Sequence, residues 1–286
     1  MKLLRFGDAG HERLGALADE STAIDLSGAL GDLDDVFAQG DGLGPVARIL
    51  DEQGDDLPRI DLAGQRLGPP IPRPHQILCI GLNYADHAAE SGMPVPDEPV
   101  VFNKAPNTLV GPNDDVRLPR KAFKVDWEVE LGVVIGRQAR YLDRVEDAAD
   151  VIAGYTVVND VSEREFQLER GGQWVKGKSC ETFNPCGPLL VTPDEIGNPQ
   201  DLAMRLQVNG ESMQDGNTST MVFGVHHVVW YLSQFMVLEP GDLINTGTPP
   251  GVGAGMDPQR WLAEGDIVEL EIDGLGRQRQ RVVAAS

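Results

Sequence analysis

A run of β-branched and aliphatic positions stands out near the middle of the chain, in the segment WEVELGVVIG, residues 127–136. Its composition and length predict a strand. Two carboxylates, Glu128 and Glu130, lie two positions apart within it, so the alternation of strand side chains places both on one face. Like charges this close repel each other, and in a buried strand they persist only beside a cation. A divalent metal ion is the simplest candidate, although two surface glutamates on a strand edge would give the same pattern.

The first 70 residues predict a small separate unit with short strands, a turn at residues 19–21 and a helix at residues 46–53. The segment GPPIPRPHQ, residues 68–76, follows it with four prolines in nine residues. Proline cannot continue a helix or a central strand, so this segment is interpreted as a linker. The pattern therefore predicts an N-terminal α+β domain over residues 1–70 and a catalytic domain over residues 71–286.

The segment ILCIG, residues 77–81, predicts a buried strand that opens into a short helix between Asp86 and Gly92. On that helix His87 and Glu90 are three residues apart, so both side chains lie on one face. A carboxylate beside an imidazole raises its basicity and fixes its orientation, which suits the pair to activating water. A surface pair without a catalytic role is the alternative.

Further along, one strand is predicted to end near Lys104, and residues 142–154 predict an amphipathic helix. The segment YTVVND forms the next predicted strand, with Asp160 at its end. Asp160 could cap a helix formed by SEREFQLER. It could equally be a third ligand, because three carboxylates with open water positions suit magnesium or manganese.

Two later segments carry candidate groups for binding anions. Lys176 and Lys178 lie in a glycine-containing loop, where one lysine near a metal and an enolate would stabilise negative charge; two surface lysines are the alternative. Residues 241–253 predict a strand and then a glycine-proline loop, whose amides and Thr248 hydroxyl could bind an anion or form a tight turn. The chain ends in a predicted β-hairpin that turns at residues 274–276.

Composition narrows the class of protein. The chain has 286 residues, 41% hydrophobic and 24% charged, as in ordinary globular proteins. A formal charge of -21 argues against nucleic-acid binding and favours attraction of divalent cations. No apolar run approaches a membrane span, so we expect a cytoplasmic protein without membrane partners. Cys79, Cys180 and Cys186 form no pairing or zinc motif, which suits a reducing compartment.

Six segments, in this order, resemble the fumarylacetoacetate hydrolase family over about residues 72–283. They are IGLNYADHAAE, FNKAPNTLVGP, WEVELGVVIG, NDVSEREFQ, GKSCETFNPCGP and NTGTPPGVG. The resemblance implies a mainly β, α+β fold with a mixed β-roll at its core, and a homodimer.

Matching the segments to the family also implies roles for individual residues. Glu128, Glu130 and Asp160 take the places of the magnesium or manganese ligands. His87 and Glu90 take those of the water-activating pair, on a loop that orders as a lid when substrate binds.

The same matching implies the groups that contact substrate. Lys178 takes the place of the lysine that stabilises the oxyanion, and Gln167 that of a glutamine that contacts substrate. Thr248 takes the place of a threonine that contacts a substrate carboxylate, and we expect Lys104 to bind substrate as well.

The implied reaction is metal-dependent hydrolysis of a carbon-carbon bond in a 2,4-diketo acid. The amino acids in these segments most resemble those of the bacterial sugar-acid branch of the family. Those enzymes cleave 2,4-diketo-3-deoxy-L-rhamnonate or L-fuconate to pyruvate and lactate. The alternatives are an acylpyruvate hydrolase, an isomerase of hydroxymuconate-type dienes, an oxaloacetate decarboxylase, or a non-catalytic metal- or dicarboxylate-binding protein. The presence of both His87 and Glu90 favours hydrolysis, since decarboxylation needs no hydrolytic base.

Overall fold

The structure, a computed structural model, describes residues 1–90 and 94–285, and for residues 87–89 it describes only the backbone. The strands before the central one are β1 Lys2–Phe6, β2 Arg13–Leu17, β3 Thr22–Asp25, β4 Arg59–Asp61, β5 Ile77–Gly81, β6 Val100–Lys104, β7 Leu109–Val110, β8 Val116–Leu118 and β9 Val125–Asp126. The later strands are β10 Val129–Ile135, β11 Ile152–Asn159, β12 Ser162–Glu163, β13 Asn184–Pro185, β14 Leu190–Val191, β15 Ala203–Val208, β16 Glu211–Asn217, β17 Leu243–Asn245, β18 Ile267–Ile272 and β19 Gly276–Ala284.

Helices are short in the described part of the chain. The α-helices are α1 Ser27–Leu30, α2 Leu33–Phe37, α3 Gly44–Gln53, α4 Ala85–Glu90, α5 Val175–Lys178, α6 Pro193–Ile196 and α7 Val225–Ser233. A π-helical turn lies at Glu165–Glu169, and 3-10 turns lie at Pro106–Thr108, Val145–Asp150, Thr218–Thr220 and Gly253–Gly255. None of the helices described is long and apolar enough to span a membrane.

Two sheets form the framework. The larger has ten strands in the order β4-β3-β2-β1-β14-β11-β10-β17-β5-β6, and the smaller has five in the order β16-β15-β18-β19-β8. Strands on both sides of residue 70 share the larger sheet, because β1 pairs with β14 at Leu3 and Leu190. The division into two domains at that residue stays a prediction. The predicted mainly β, α+β fold is confirmed, and the described sheets form no closed barrel.

Strand β10 lies at the centre of the larger sheet and is buried along its whole length. Val129 and Leu131 belong to the apolar core shared with Leu270 of the smaller sheet. Because side chains alternate, Glu128 and Glu130 point to the opposite face. Burial on both faces explains why the segment contains so few polar residues.

The helix predicted at residues 142–154 is wrong. Residues 142–154 contain only the 3-10 turn Val145–Asp150, and β11 already begins at Ile152 because Ile152 and Gly154 pair with β10. The segment SEREFQLER starts in β12, which pairs with β9, and then forms the π-helical turn. At residues 142–154 tertiary strand pairing overrides the local helical pattern, whereas SEREFQLER, one possible helix after Asp160, does contain a helical turn.

Other local predictions are confirmed. The strand at residues 77–81 is β5, the helix at residues 46–53 lies within α3, and the last hairpin turns between β18 and β19. The predicted short helix at Asp86 is α4. Gly92, its predicted end, lies outside the described residues.

Candidate metal centre and substrate cavity

Three carboxylates meet where β10 and β11 run side by side. Val129 pairs with Asn159, and the Asp160 backbone N–H donates to the Glu128 carbonyl oxygen at 2.9 Å. This register brings one carboxylate oxygen each of Glu128, Glu130 and Asp160 within 4.8 Å of one another. All three side chains are buried, with at most 5% exposed. They form what we call the carboxylate trio.

Three buried cations surround the carboxylate trio. The Lys178 Nζ donates to Glu128 Oε2 and to Asp160 Oδ2, each at 2.7 Å. The Lys104 ammonium donates to the other oxygen of Asp160 and, at 3.0 Å, to the Val161 carbonyl. Burial opposes the charged form of Lys178, but Asp160 and Glu128 outweigh it and raise its pKa.

Arg164 is the third cation. Its Nη2 lies 2.6 Å from Glu128 Oε1 and 2.8 Å from Asp126 Oδ2. Asp126 is a fourth buried carboxylate, so four carboxylates face three cations in this cluster. With all four carboxylates ionised, the cluster retains one formal negative charge, which an additional cation would compensate.

Glu130 shows where that cation fits. Among the described residues it has no ion pair, and its carboxylate accepts only the Gly247 N–H, at 2.8 Å. Burial, with Asp160 and Glu128 next to it, raises the pKa of Glu130 well above its usual value. Three convergent carboxylates without nitrogen or sulfur donors are the ligand set that magnesium and manganese prefer. The carboxylate trio thus fits a divalent metal.

A cavity of about 290 Å³ opens onto the carboxylate trio. Its deep end contains Glu128, Glu130, Lys178 and Arg164, which are at least nine-tenths buried. The remaining wall is mostly apolar and is formed by Ile80, Leu82, Phe102, Leu168, Trp174 and Val252. The cavity can therefore hold a small molecule with a polar head at the metal centre and an apolar tail towards the mouth.

Two of the predicted substrate-binding residues line this cavity. Gln167 accepts a hydrogen bond from Arg164 Nη1 at 3.1 Å, which fixes its amide. Thr248 donates to the Val129 carbonyl at 2.9 Å and accepts from Gln214 at 2.8 Å. Lys104 is not among the described residues of the cavity wall. It contacts Asp160 instead, through a hydrogen bond to the carboxylate.

The glycine-proline loop contacts carboxylates of the protein itself. Besides the Gly247 amide on Glu130, the Gly251 N–H donates to both oxygens of Glu90, at 3.0 and 3.2 Å. The Gly253 and Ala254 N–H groups donate to Asp126, at 2.7 and 3.0 Å. The backbone amides expected to bind an anion are thus hydrogen-bonded to three side chains of the chain. The side chain of His87 lies outside the described residues.

Comparisons with known proteins agree with these observations. The family model described as Fumarylacetoacetate (FAA) hydrolase C-terminal matches residues 76–283, which is most of the chain. The chain belongs to the fumarylacetoacetate hydrolase family. A protein of Burkholderia multivorans is 51% identical over 286 residues, with all of both chains covered.

Solved structures of this family include both hydrolases and isomerases. A 2-hydroxyhepta-2,4-diene-1,7-dioate isomerase from Mycobacterium marinum is 34% identical, with a TM-score of 0.79, over 100% of this chain and 99% of that one. A maleylpyruvate hydrolase from Sphingobium sp. SYK-6, in complex with manganese (II) ion and pyruvate, is 30% identical, with a TM-score of 0.83 and full coverage of both chains. The family and its fold are therefore established, while the reaction differs among relatives.

Sequence reasoning missed several residues that build the site of this family member. Arg164 and Asp126 were not singled out, although Asp126 lies only two residues before Glu128. The wall residues Phe102, Leu168 and Trp174 were missed as well. An aromatic or aliphatic residue looks the same in a sequence whether it packs in the core or lines a cavity, so no local pattern could have identified these three.

Proposed function

We propose that this protein is a metal-dependent hydrolase that cleaves a carbon-carbon bond in a 2,4-diketo acid. The observation that carries the proposal is the carboxylate trio beside Lys178 at the closed end of a cavity with an apolar wall. The solved maleylpyruvate hydrolase, whose structure contains manganese and pyruvate, supports it. The ion is magnesium or manganese, held by Glu128, Glu130 and Asp160.

In the proposed reaction, water adds to the carbonyl carbon farther from the substrate carboxylate. The bond between that carbon and the neighbouring methylene then breaks, and its electron pair passes to the pyruvate part as an enolate. Protonation of the enolate gives pyruvate, and the acyl part leaves as a carboxylic acid. When bound, the divalent ion supplies Lewis-acid polarisation of the 2-keto oxygen and a fixed template for the keto acid.

Lys178 has the position required to stabilise the enolate. An ammonium group has three N–H donors, and two of these donate to Glu128 and Asp160. The third is available to a substrate oxygen, because Lys178 lines the cavity. A charged donor held rigidly in a buried site stabilises developing negative charge strongly.

His87 and Glu90 are the proposed base that takes a proton from water. Glu90 is tied to the Gly251 amide, which fixes its carboxylate at the end of α4. A carboxylate held in this way orients a neighbouring imidazole and raises its basicity. Gln167 and Thr248, on the cavity wall, would contact the keto acid.

The finer substrate assignment follows the sequence resemblance, which points to 2,4-diketo-3-deoxy-L-rhamnonate or L-fuconate with lactate as the second product. The same resemblance supports a homodimer that works on a small keto acid, and the acidic charge and hydropathy of the chain support a cytoplasmic protein without nucleic acid or membrane partners. An isomerase of dienedioates is the second candidate, because a solved relative at 34% identity has that name.

The test is product analysis in H2¹⁸O with magnesium or manganese, on acetylpyruvate and on 2,4-diketo-3-deoxy-L-rhamnonate, with oxaloacetate and 2-hydroxyhepta-2,4-diene-1,7-dioate in parallel. We expect pyruvate plus one carboxylic acid that carries ¹⁸O, and loss of both bound metal and turnover in the Glu128→Ala variant. Pyruvate from oxaloacetate alone would make the protein a decarboxylase. Rearrangement of a dienedioate without ¹⁸O uptake would make it an isomerase.

A further inference from the structure

The wall of the cavity also indicates which acyl group the substrate carries. We propose that this enzyme acts on 2,4-diketo acids with a single carboxylate, whose acyl group is uncharged and packs against Phe102, Trp174 and Leu168. The inference rests on the proposed function and narrows its substrate class. On this inference the chain differs in substrate from the solved relatives named for maleylpyruvate and for a heptadienedioate. Both of those compounds are dicarboxylates.

The cavity has a defined direction. Lys178 lies at its deep end with 2% exposed, and its Nζ is 5.0 Å from the centre of the Phe102 ring. The Phe102 ring centre is in turn 5.2 Å from that of Trp174, in an edge-to-face arrangement. Leu168 is 55% exposed and marks the mouth. A keto acid with its head beside Lys178 therefore extends its acyl group along the two rings towards Leu168.

Trp174 is fixed in place on this path. A Cβ added at Gly81 would lie 2.6 Å from its indole ring, so the absence of a side chain at Gly81 makes room for the ring. The edge-to-face contact with Phe102 holds its other side. A rigid aromatic wall binds an apolar group at little cost in side-chain entropy.

Along this path the described residues offer a second carboxylate no cation that is not already paired with a carboxylate of the chain. Among the described residues that line the cavity, the cations are Arg164 and Lys178. Arg164 is paired with Asp126 and Glu128, and Lys178 with Glu128 and Asp160. Gln259, at the mouth, is neutral and accommodates a hydroxyl group, as a lactoyl group would present. A carboxylate on the acyl group would lose its hydration without a compensating charge.

The experiment compares kcat/KM for three acids that contain the same 2,4-diketo acid group and differ in the acyl group. They are 2,4-dioxopentanoate, 2,4-dioxoheptanoate and 2,4-dioxoheptanedioate. The last two have equal length and differ in a terminal methyl against a carboxylate. We expect the heptanoate to exceed the pentanoate by about tenfold, since each added methylene is bound in an apolar pocket. We expect the heptanedioate to fall below the heptanoate by on the order of 100-fold, because of the unpaired charge.

Variants test the direction of the cavity. Leu168→Arg adds a cation at the mouth and should raise the ratio of heptanedioate to heptanoate kcat/KM by about tenfold or more. Gln259→Arg should also raise this ratio. It serves as the test variant if Leu168→Arg does not fold. Val101→Arg is the matched control, because Val101 lies on the other face of β6 from Phe102 and is exposed. Its ratio should stay that of the wild type.

The outcomes separate the two proposals. If no diketo acid releases pyruvate, the proposed function fails. If the pentanoate is hydrolysed but the heptanedioate matches or exceeds the heptanoate, the function stands and the single-carboxylate inference is overturned. An unchanged ratio in both mouth variants also overturns it, because the acyl group then does not lie along this wall.

Discussion

Two buried lysines donate hydrogen bonds to the same aspartate, but their positions indicate different roles. Lys104 and Lys178 each donate to one oxygen of Asp160. Lys178 also lines the cavity, whereas Lys104 donates its other hydrogen bond to the Val161 backbone. Lys104 is therefore placed to fix the orientation of a proposed metal ligand, and Lys178 is placed to reach the proposed substrate.

Replacement of Lys178 by methionine tests this division. Lys178→Met keeps the length of the side chain but removes the donor, so we expect kcat to fall about 10²–10³-fold. Bound metal should be retained. Lys178 competes with the metal ion for Glu128 and Asp160, so its removal does not weaken the binding of the ion. Turnover by stopped assay and metal content by elemental analysis are the two measurements.

Lys176→Met is the matched control for Lys178→Met. Lys176 lies two residues earlier in α5, is exposed and donates to the Arg170 carbonyl. It should retain nearly wild-type kcat and metal content. Equal losses in the two variants would remove Lys178 from the proposed chemistry.

The three proposed metal ligands could be predicted from the sequence because strand alternation and a strand end determine their positions. Glu128 and Glu130 share a face by the period of two, and Asp160 ends the neighbouring strand. The position of Lys104 could not be derived in this way. Its strand was predicted correctly, but which of its faces meets the metal centre depends on the pairing of β6 with β5 and on packing far along the chain.

At the scale of elements, the glycine-proline loop joins three parts of the site. Its backbone amides donate to Glu130 next to the metal centre, to Glu90 of α4 and to Asp126 of β9. Gly251, with φ of +103°, packs so closely on the Met213 carbonyl that a Cβ would overlap it. The loop thus connects the proposed water-activating helix to the buried charge cluster.

Gly255→Ala tests this connection. A Cβ at Gly255 would overlap the Glu90 carboxyl group, which ends a flexible side chain and can move away. The fold should persist while Glu90 leaves the Gly251 amide, so we expect kcat to fall about 10–100-fold with bound metal unchanged. Steady-state kinetics and metal analysis check this result.

Gly28→Ala is the control for Gly255→Ala, since a Cβ at Gly28 meets no atom within 4 Å. It should leave kcat unchanged. A wild-type kcat in Gly255→Ala as well would show that the position of Glu90 is not needed for turnover.

The sequence predicted this loop but not its partners. Glycine and proline mark a turn, and their pattern equally suits a tight turn or a site for anions. The carboxylates that fill the loop come from positions 90, 126 and 130, which only tertiary structure brings together. The same limit explains the false helix at residues 142–154, where pairing with β10 determines the outcome.

At the scale of the whole molecule, the N-terminal residues are joined to the rest by a continuous sheet and by charge. Arg66 donates to Asp114 at 2.8 and 2.6 Å and to Glu12 at 2.8 Å. Burial alone would raise the pKa of Glu12, but the hydrogen bond from Arg66, a backbone hydrogen bond and the charges of Arg5 and Arg66 together outweigh it and hold the pKa below its usual value. The three residues tie the first hairpin to a loop that follows β7.

This arrangement predicts an acid dependence of stability. Because the pKa of Glu12 is lower in the folded than in the unfolded state, its contribution is complete above the unfolded value near 4.5. The contribution is lost as the pH falls through the folded pKa. Arg66→Met should therefore lower the free energy of unfolding by about 1–3 kcal/mol at pH 7 and by less under acid conditions.

Urea unfolding of the wild type and of Arg66→Met, between pH 7 and pH 3, measures this difference. Arg73→Met is the control, because it removes the same charge from an exposed side chain with no ion pair among the described residues. A single transition is expected throughout, since β1 and β14 belong to one sheet. Two transitions, with Arg66→Met shifting only the first, would instead support independent folding of residues 1–70 and contradict cooperative unfolding of the continuous sheet.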